Sequence, residues 1–161
     1  MLNVSIVLYR PDWQQVTDLA TVILLSNHVR RIYLIDNSPA PTSPESLDSR
    51  ITYRHNPYNM GYGAAHNIAI RESIYDEVPF HLVINPDIIL TPEALDAMLQ
   101  FIAQHPEVGA LMPKVTYPDG RLQYLCKLLP TPIDVFGRRF LPSQWMHRRN
   151  SRYEMHASGY D

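Results

Sequence analysis

Residues 2–28 read LNVSIVLYRPDWQQVTDLATVILLSNH, and this stretch decides the fold. Leu2 to Tyr9 is an apolar, β-branched run closed by Arg10-Pro11, the pattern of a buried strand leaving its sheet. Asp12 stands where a helix N-cap belongs. From Trp13 to about His28 the apolar Val16, Leu19, Ala20, Ile23 and Leu24 recur at three- and four-residue spacing, so the segment is expected to lie as a helix on that sheet. The alternation then repeats. Strands are expected at Ile32–Ile35, Ile51–His55, His81–Ile84 and Ala110–Tyr117, the last with a short partner at Leu122–Tyr124 after a Pro118-Asp119-Gly120 turn. Helices are expected from Gly63 to Tyr75 and from Pro92 to near His105, the latter with Thr91 as N-cap and Pro92 at its first position. Prolines 39, 41 and 44 make a loop of the segment between the second and third strands. Strands alternating with helices imply a mostly parallel α/β sheet, whose ligands sit outside the carboxyl ends of the strands.

Composition narrows the class. The 161 residues are 45% apolar, enough for one soluble domain with a real core. The single cysteine, Cys126, excludes an intrachain disulfide and a cysteine-built metal site and points to a reducing, cytoplasmic setting. No apolar run approaches the roughly 18 residues of a membrane span, and Asn3, Ser5 and Arg10 break any signal-peptide core. Net charge is −2, unevenly spread. Residues 1–126 carry 8 cationic against 13 anionic side chains, whereas residues 127–161 carry 6 against 3. An acidic body argues against nucleic acid as the main ligand, because phosphate-backbone affinity rests on cations. We therefore read 1–126 as the ligand-binding α/β domain and 127–161 as an irregular basic tail. Its Arg138, Arg139, Arg148, Arg149 and Arg152 keep open a contact with an anionic membrane face.

Several nucleotide motifs are absent. The turn after the first strand reads Arg10-Pro11-Asp12-Trp13 where a dinucleotide fingerprint would place glycines, and neither a P-loop nor a Gly-x-Ser-x-Gly elbow occurs. What remains lies at strand ends. Asp36 is either a nucleobase or ribose acceptor or the cap of its own loop. Gly61-Tyr62-Gly63 is either a diphosphate-facing helix start or a turn needing positive φ. Asp87, in Asn85-Pro86-Asp87, is either a single-carboxylate site for Mg²⁺ or Mn²⁺ or part of a turn before the next helix. Tyr9 is either a stacking surface for a base or an edge tyrosine, and His66 shows no metal spacing.

Taken in order, these stretches resemble the nucleotide-sugar glycosyltransferases of family 2, which have the GT-A (Rossmann-like) fold. The resemblance runs through Val4–Tyr9, Tyr33–Ser38, Asn59–Gly61, Ala64–Asn67, Leu82–Asp87 and Gly109–Pro113, and Asp119–Gln123 with Leu129–Thr131 are similar to a bacterial rhamnosyltransferase-like branch. It implies that Tyr9 and Asp36 hold the base of a dTDP- or UDP-linked sugar with Asn37 nearby, that Asn59, Gly61 and Asn67 shape the donor pocket, and that Asn85, counted with the substrate-binding residues, and Asp87 stand where the family has its Asp-x-Asp metal motif, with Asn in place of the first Asp and the metal on Asp87. It further implies an inverting transfer of a sugar such as rhamnose to a glycan or lipid-linked acceptor in cell-surface polysaccharide synthesis, at the inner face of the membrane. The family's acceptor-binding segment and its acidic catalytic base have no counterpart before Asp161, and Glu154 and Asp161 do not match by spacing. The C-terminal acceptor part is therefore expected to be missing, no catalytic residue is assigned, and a sheet that stops early leaves apolar edges suited to a homodimer. The competing reading is a non-catalytic nucleotide-sugar or partner-binding module.

Overall fold

A computed structural model describes residues 1–44, 46–125, 128, 129, 131 and 153. The contacts divide the chain into two units, Met1–Glu107 and Val108–Asp161. The first holds β1 (Leu2–Leu8), α1 (Trp13–Leu24), β2 (Val29–Asp36), β3 (Ile51–His55), α2 (Tyr62–Tyr75), β4 (Phe80–Ile84) and α3 (Pro92–Gln104). The four strands form one parallel sheet in the order β3-β2-β1-β4.

Strand periodicity sorts the side chains onto two different faces. Leu2, Val4, Ile6 and Leu8 of β1, with Ile32 and Leu34 of β2 and Ile84 of β4, join Val16, Leu19, Ala20 and Ile23 of α1 and Leu95 of α3 in an apolar core. Each such large aliphatic side chain, taken fully out of water, contributes about 1.5–3 kcal/mol. The opposite face meets α2. There Tyr33, Ile35, Ala65 and Ala69 pack together, but Asn3 and Ser5 of β1 and Ser73 of α2 are buried beside them. On α2 this face is built of the small Ala65, Ala69 and Ser73, with His66 buried among them.

The ends of the helices follow from local chemistry. Asp12 caps α1 by accepting from the Gln14 N–H at 2.9 Å, and the Thr91 hydroxyl caps α3 through the Ala94 N–H. α1 stops at Leu24 rather than near His28, because the N–H groups of Leu25 and Ser26 turn back to Val22 and Ile23 in a tighter final turn. α2 closes with a full Schellman motif: Glu77 N–H donates to the Ile74 carbonyl and Val78 N–H to that of Ser73, with Glu77 at φ 54.

The second unit corrects one expectation. Ala110–Tyr117 is not a strand of the sheet; it meets the 122–124 segment at a single antiparallel bridge, Thr116 to Leu122. Pro113 interrupts the run, and the tight turn with Gly120 at φ 82 leaves room for few pairs. Arg121 closes that turn, its Nε 2.7 Å from Asp119 Oδ2. Cys126 and the arginines of the tail lie outside the described residues, and no helix among the described residues is long and apolar enough to cross a membrane.

Candidate functional site

The chain runs outward from β1 to β2 and β3, then returns through α2 to place β4 on the other side of β1. The order reverses between β1 and β4, and in open parallel sheets a ligand crevice lies outside the carboxyl ends at that reversal. Tyr9 leaves β1 there with 52% of its surface exposed. Asn85 and Asp87 leave β4, both exposed. The neighbouring carboxyl ends of β2 and β3 bring up Asp36, Asn37 and Asn56, and α2 begins with Gly61 at φ 84, a value that favours glycine.

Asp36 is fully buried and its oxygens are already occupied. Oδ1 accepts from the Ser38 N–H at 2.8 Å, while Oδ2 accepts from the Tyr53 hydroxyl at 2.6 Å and the Thr42 hydroxyl at 3.3 Å. Burial alone would raise this carboxyl, but the hydrogen bonds from Ser38, Tyr53 and Thr42 outweigh it and hold Asp36 below the usual carboxylate value. Burial and that bond to Asp36 raise the Tyr53 phenol in turn. Asp36 thus holds its own loop. Asn37 is similarly engaged: its N–H donates to the Leu8 carbonyl, its Oδ1 accepts from Asn56 Nδ2 at 2.8 Å, and its Nδ2 reaches the Gly61 carbonyl at 3.4 Å. These bonds tie the ends of β1, β2 and β3 to the start of α2. Asn59 accepts from the Gly61 N–H at 2.9 Å and so shapes the same turn. Asn67 lies in the second turn of α2, exposed.

Tyr62 is a residue that pattern reading missed. It is the first residue of α2, half exposed, with its ring edge-on to His66 at 4.3 Å. Burial, and after it the charge of Asp87, raises its phenol. An aromatic residue immediately after a helix-opening glycine was the available signal.

Beneath Tyr62 runs a buried polar seam. Asn3 Nδ2 donates to Ser73 Oγ at 3.0 Å, and Ser73 Oγ donates to the Ala69 carbonyl at 3.1 Å. Ser73 therefore accepts from His81 Nδ1, 2.7 Å away. The remaining protons then have one consistent placement: Ser5 Oγ donates to His81 Nε2 at 2.8 Å and accepts from His66 Nδ1 at 2.7 Å. His66 Nε2 ends the seam as a buried atom without a hydrogen-bond partner. Burial lowers the affinity of both imidazoles for a second proton, and for His81, with His66 beside it, the pKa falls to about 4. Both rings are neutral at pH 7.

The description "Glycosyl transferase family 2" matches residues 19–155 of this sequence. The chain belongs to that family. Its parallel sheet flanked by helices is the Rossmann-like α/β arrangement of the GT-A fold. The N-acetylglucosaminyl-diphospho-decaprenol L-rhamnosyltransferase of Mycobacterium tuberculosis, from two strains, is 27% identical over 146 residues, covering 83% of this chain and 47% of the relative. An uncharacterized protein, y4gI, of Sinorhizobium fredii is 32% identical over 81 residues, 50% of this chain and 8% of that protein. The chain spans about half the length of the mycobacterial relatives, at 47%. No solved structure matches it.

Proposed function

We propose that this domain binds the donor of a glycosyl transfer, a dTDP- or UDP-linked sugar, in the crevice between the carboxyl ends of β1 and β4. The observation that supports this most is the pairing of exposed Tyr9 and exposed Asp87 on the two sides of the topological reversal in a family 2 chain. Tyr9 offers a ring on which a base stacks. Asp36 and Asn37 position the loop behind it through the bonds described above. Gly61 and Asn59 set the start of α2, whose free N–H groups suit a diphosphate. Asn67 and Asn85 complete the residues assigned to the donor.

The donor set at β4 fits Mg²⁺ or Mn²⁺. No cluster of three metal-binding side chains exists among the described residues, but Mg²⁺ typically takes one or two protein carboxylates and fills its shell with water and substrate phosphates. Asp87 is exposed and supplies that one carboxylate. Such an ion, when bound, neutralises charge on a leaving diphosphate.

Acceptor chemistry is inferred from the relative. Its name includes L-rhamnosyl transfer to a diphospho-decaprenol acceptor, so an inverting transfer of rhamnose to a lipid-linked glycan, at the inner face of a membrane, is our reading of the reaction this donor site serves. Thermal unfolding with UDP, dTDP and GDP, each with and without Mn²⁺ or Mg²⁺, tests the donor site. A true ligand at 100 times its Kd adds about 2.7 kcal/mol, which is readily seen as a shift in Tm. Asp87→Ala is expected to abolish the metal-dependent part of that shift while leaving the unliganded Tm within a degree or two. Nucleotide binding without any sugar transfer to a lipid acceptor would favour the non-catalytic module.

A further inference from the structure

Arg10 lies two residues past the end of β1, after Tyr9, at the carboxyl end that borders the reversal between β1 and β4. Its backbone has φ 50, in the left-handed region that L side chains avoid and that asparagine or glycine takes readily. At the same residue the backbone N–H donates to Ser38 Oγ at 2.7 Å, while Ser38 N–H donates to Asp36 Oδ1 in a clamp between the ends of β1 and β2. The arginine side chain contributes nothing to this clamp. Its guanidinium sits 5.6 Å from the Tyr9 ring centroid, exposed, and forms no ion pair among the described residues. A strained position thus carries a long cation where a small residue would stabilise the fold better. Backbone strain retained at the mouth of a crevice is characteristic of a ligand-binding role.

We propose that Arg10 is a phosphate contact of the nucleotide donor, its guanidinium steadied on the Tyr9 ring beside the stacked base. The proposal rests on the donor-site reading above. A planar guanidinium suits this task, since it presents paired N–H donors to phosphate oxygens and stacks on an aromatic face. Its positive charge would add to the free N–H groups at the start of α2 in holding an anionic diphosphate.

The test uses the full 161-residue chain, wild type, Arg10→Asn and Arg10→Lys, titrated with UDP and dTDP and with uridine and thymidine in the presence of Mn²⁺. Arg10→Asn is expected to weaken the diphosphate that binds wild type roughly 10–100-fold, with the matching nucleoside changed less than about twofold. Arg10→Lys is expected to recover part of the loss. Urea unfolding of Arg10→Asn is expected to show a fold at least as stable as wild type, because asparagine relieves the strained backbone. Unchanged diphosphate affinity in Arg10→Asn overturns the proposal, and so does an equal loss for nucleoside and diphosphate. If wild type binds none of these ligands, the donor-site reading fails and this inference falls with it.

Discussion

Glu77 and Asp36 show how single residues set the ends of the elements. Glu77 occupies the left-handed position of the Schellman motif that ends α2, where glycine has no Cβ penalty. Glu77→Gly is expected to stabilise the domain by up to about 1 kcal/mol, read as a higher urea midpoint with an unchanged m-value. Asp36 gives the opposite expectation. Asp36→Ala strips the acceptor from the Ser38 N–H and the Tyr53 and Thr42 hydroxyls, and is expected to cost about 1–3 kcal/mol or more in urea unfolding. That role could not be read from the chain, because its partners lie 2, 6 and 17 residues away and only folding brings them onto one carboxylate. Sequence alone showed a carboxylate at a strand end, and a capping reading and a ligand reading were equally open there. Arg10 was legible as a residue and not as a strained one.

At the scale of elements, the seam between α2 and the sheet carries the pH response. The unfolded chain protonates His81 near its ordinary value of about 6.5, whereas the folded chain holds that proton off to about 4. Between those values the unfolded state binds more protons, so stability is complete above the unfolded value and falls as pH drops through this window. Denaturant unfolding from pH 7.5 to 4 is expected to show that decline, and His81→Gln to reduce it, with the buried His66, also lowered, carrying the remainder. The Asp36 carboxyl, held low, adds a further loss only below about pH 3.9, so the two responses separate on the pH axis. The elements themselves were largely legible: the runs that form β1 to β4, and Asp12, Thr91 and Pro92, sit where spacing and capping chemistry place them. The seam was not, since Ser5 reaches His66 and His81 across 61 and 76 residues. The failed strand at Ala110–Tyr117 has the plainer cause that an apolar run with a proline inside it satisfies the pattern without supplying the ladder.

For the whole molecule, topology decides what the parts can do together. One return of the chain across β1 collects Tyr9, Arg10, Gly61, Tyr62 and Asp87 from different stretches of sequence at a single rim. The alternation of strands and helices made that rim foreseeable, while the identity of the nucleotide depends on side-chain contacts that only a bound complex displays. The two faces of the sheet also differ in how they can change over generations. The dry face under α1 and α3 is joined by shape alone, so one aliphatic side chain can be exchanged for another of similar volume with modest loss. Across the other face, each hydroxyl and imidazole fixes the proton of the next, and no member can be replaced without stranding its neighbour. Substitutions at Asn3, Ser5, His66, Ser73 and His81 should therefore be inherited in sets, and this helix should drift as a block while its counterparts across the sheet vary position by position.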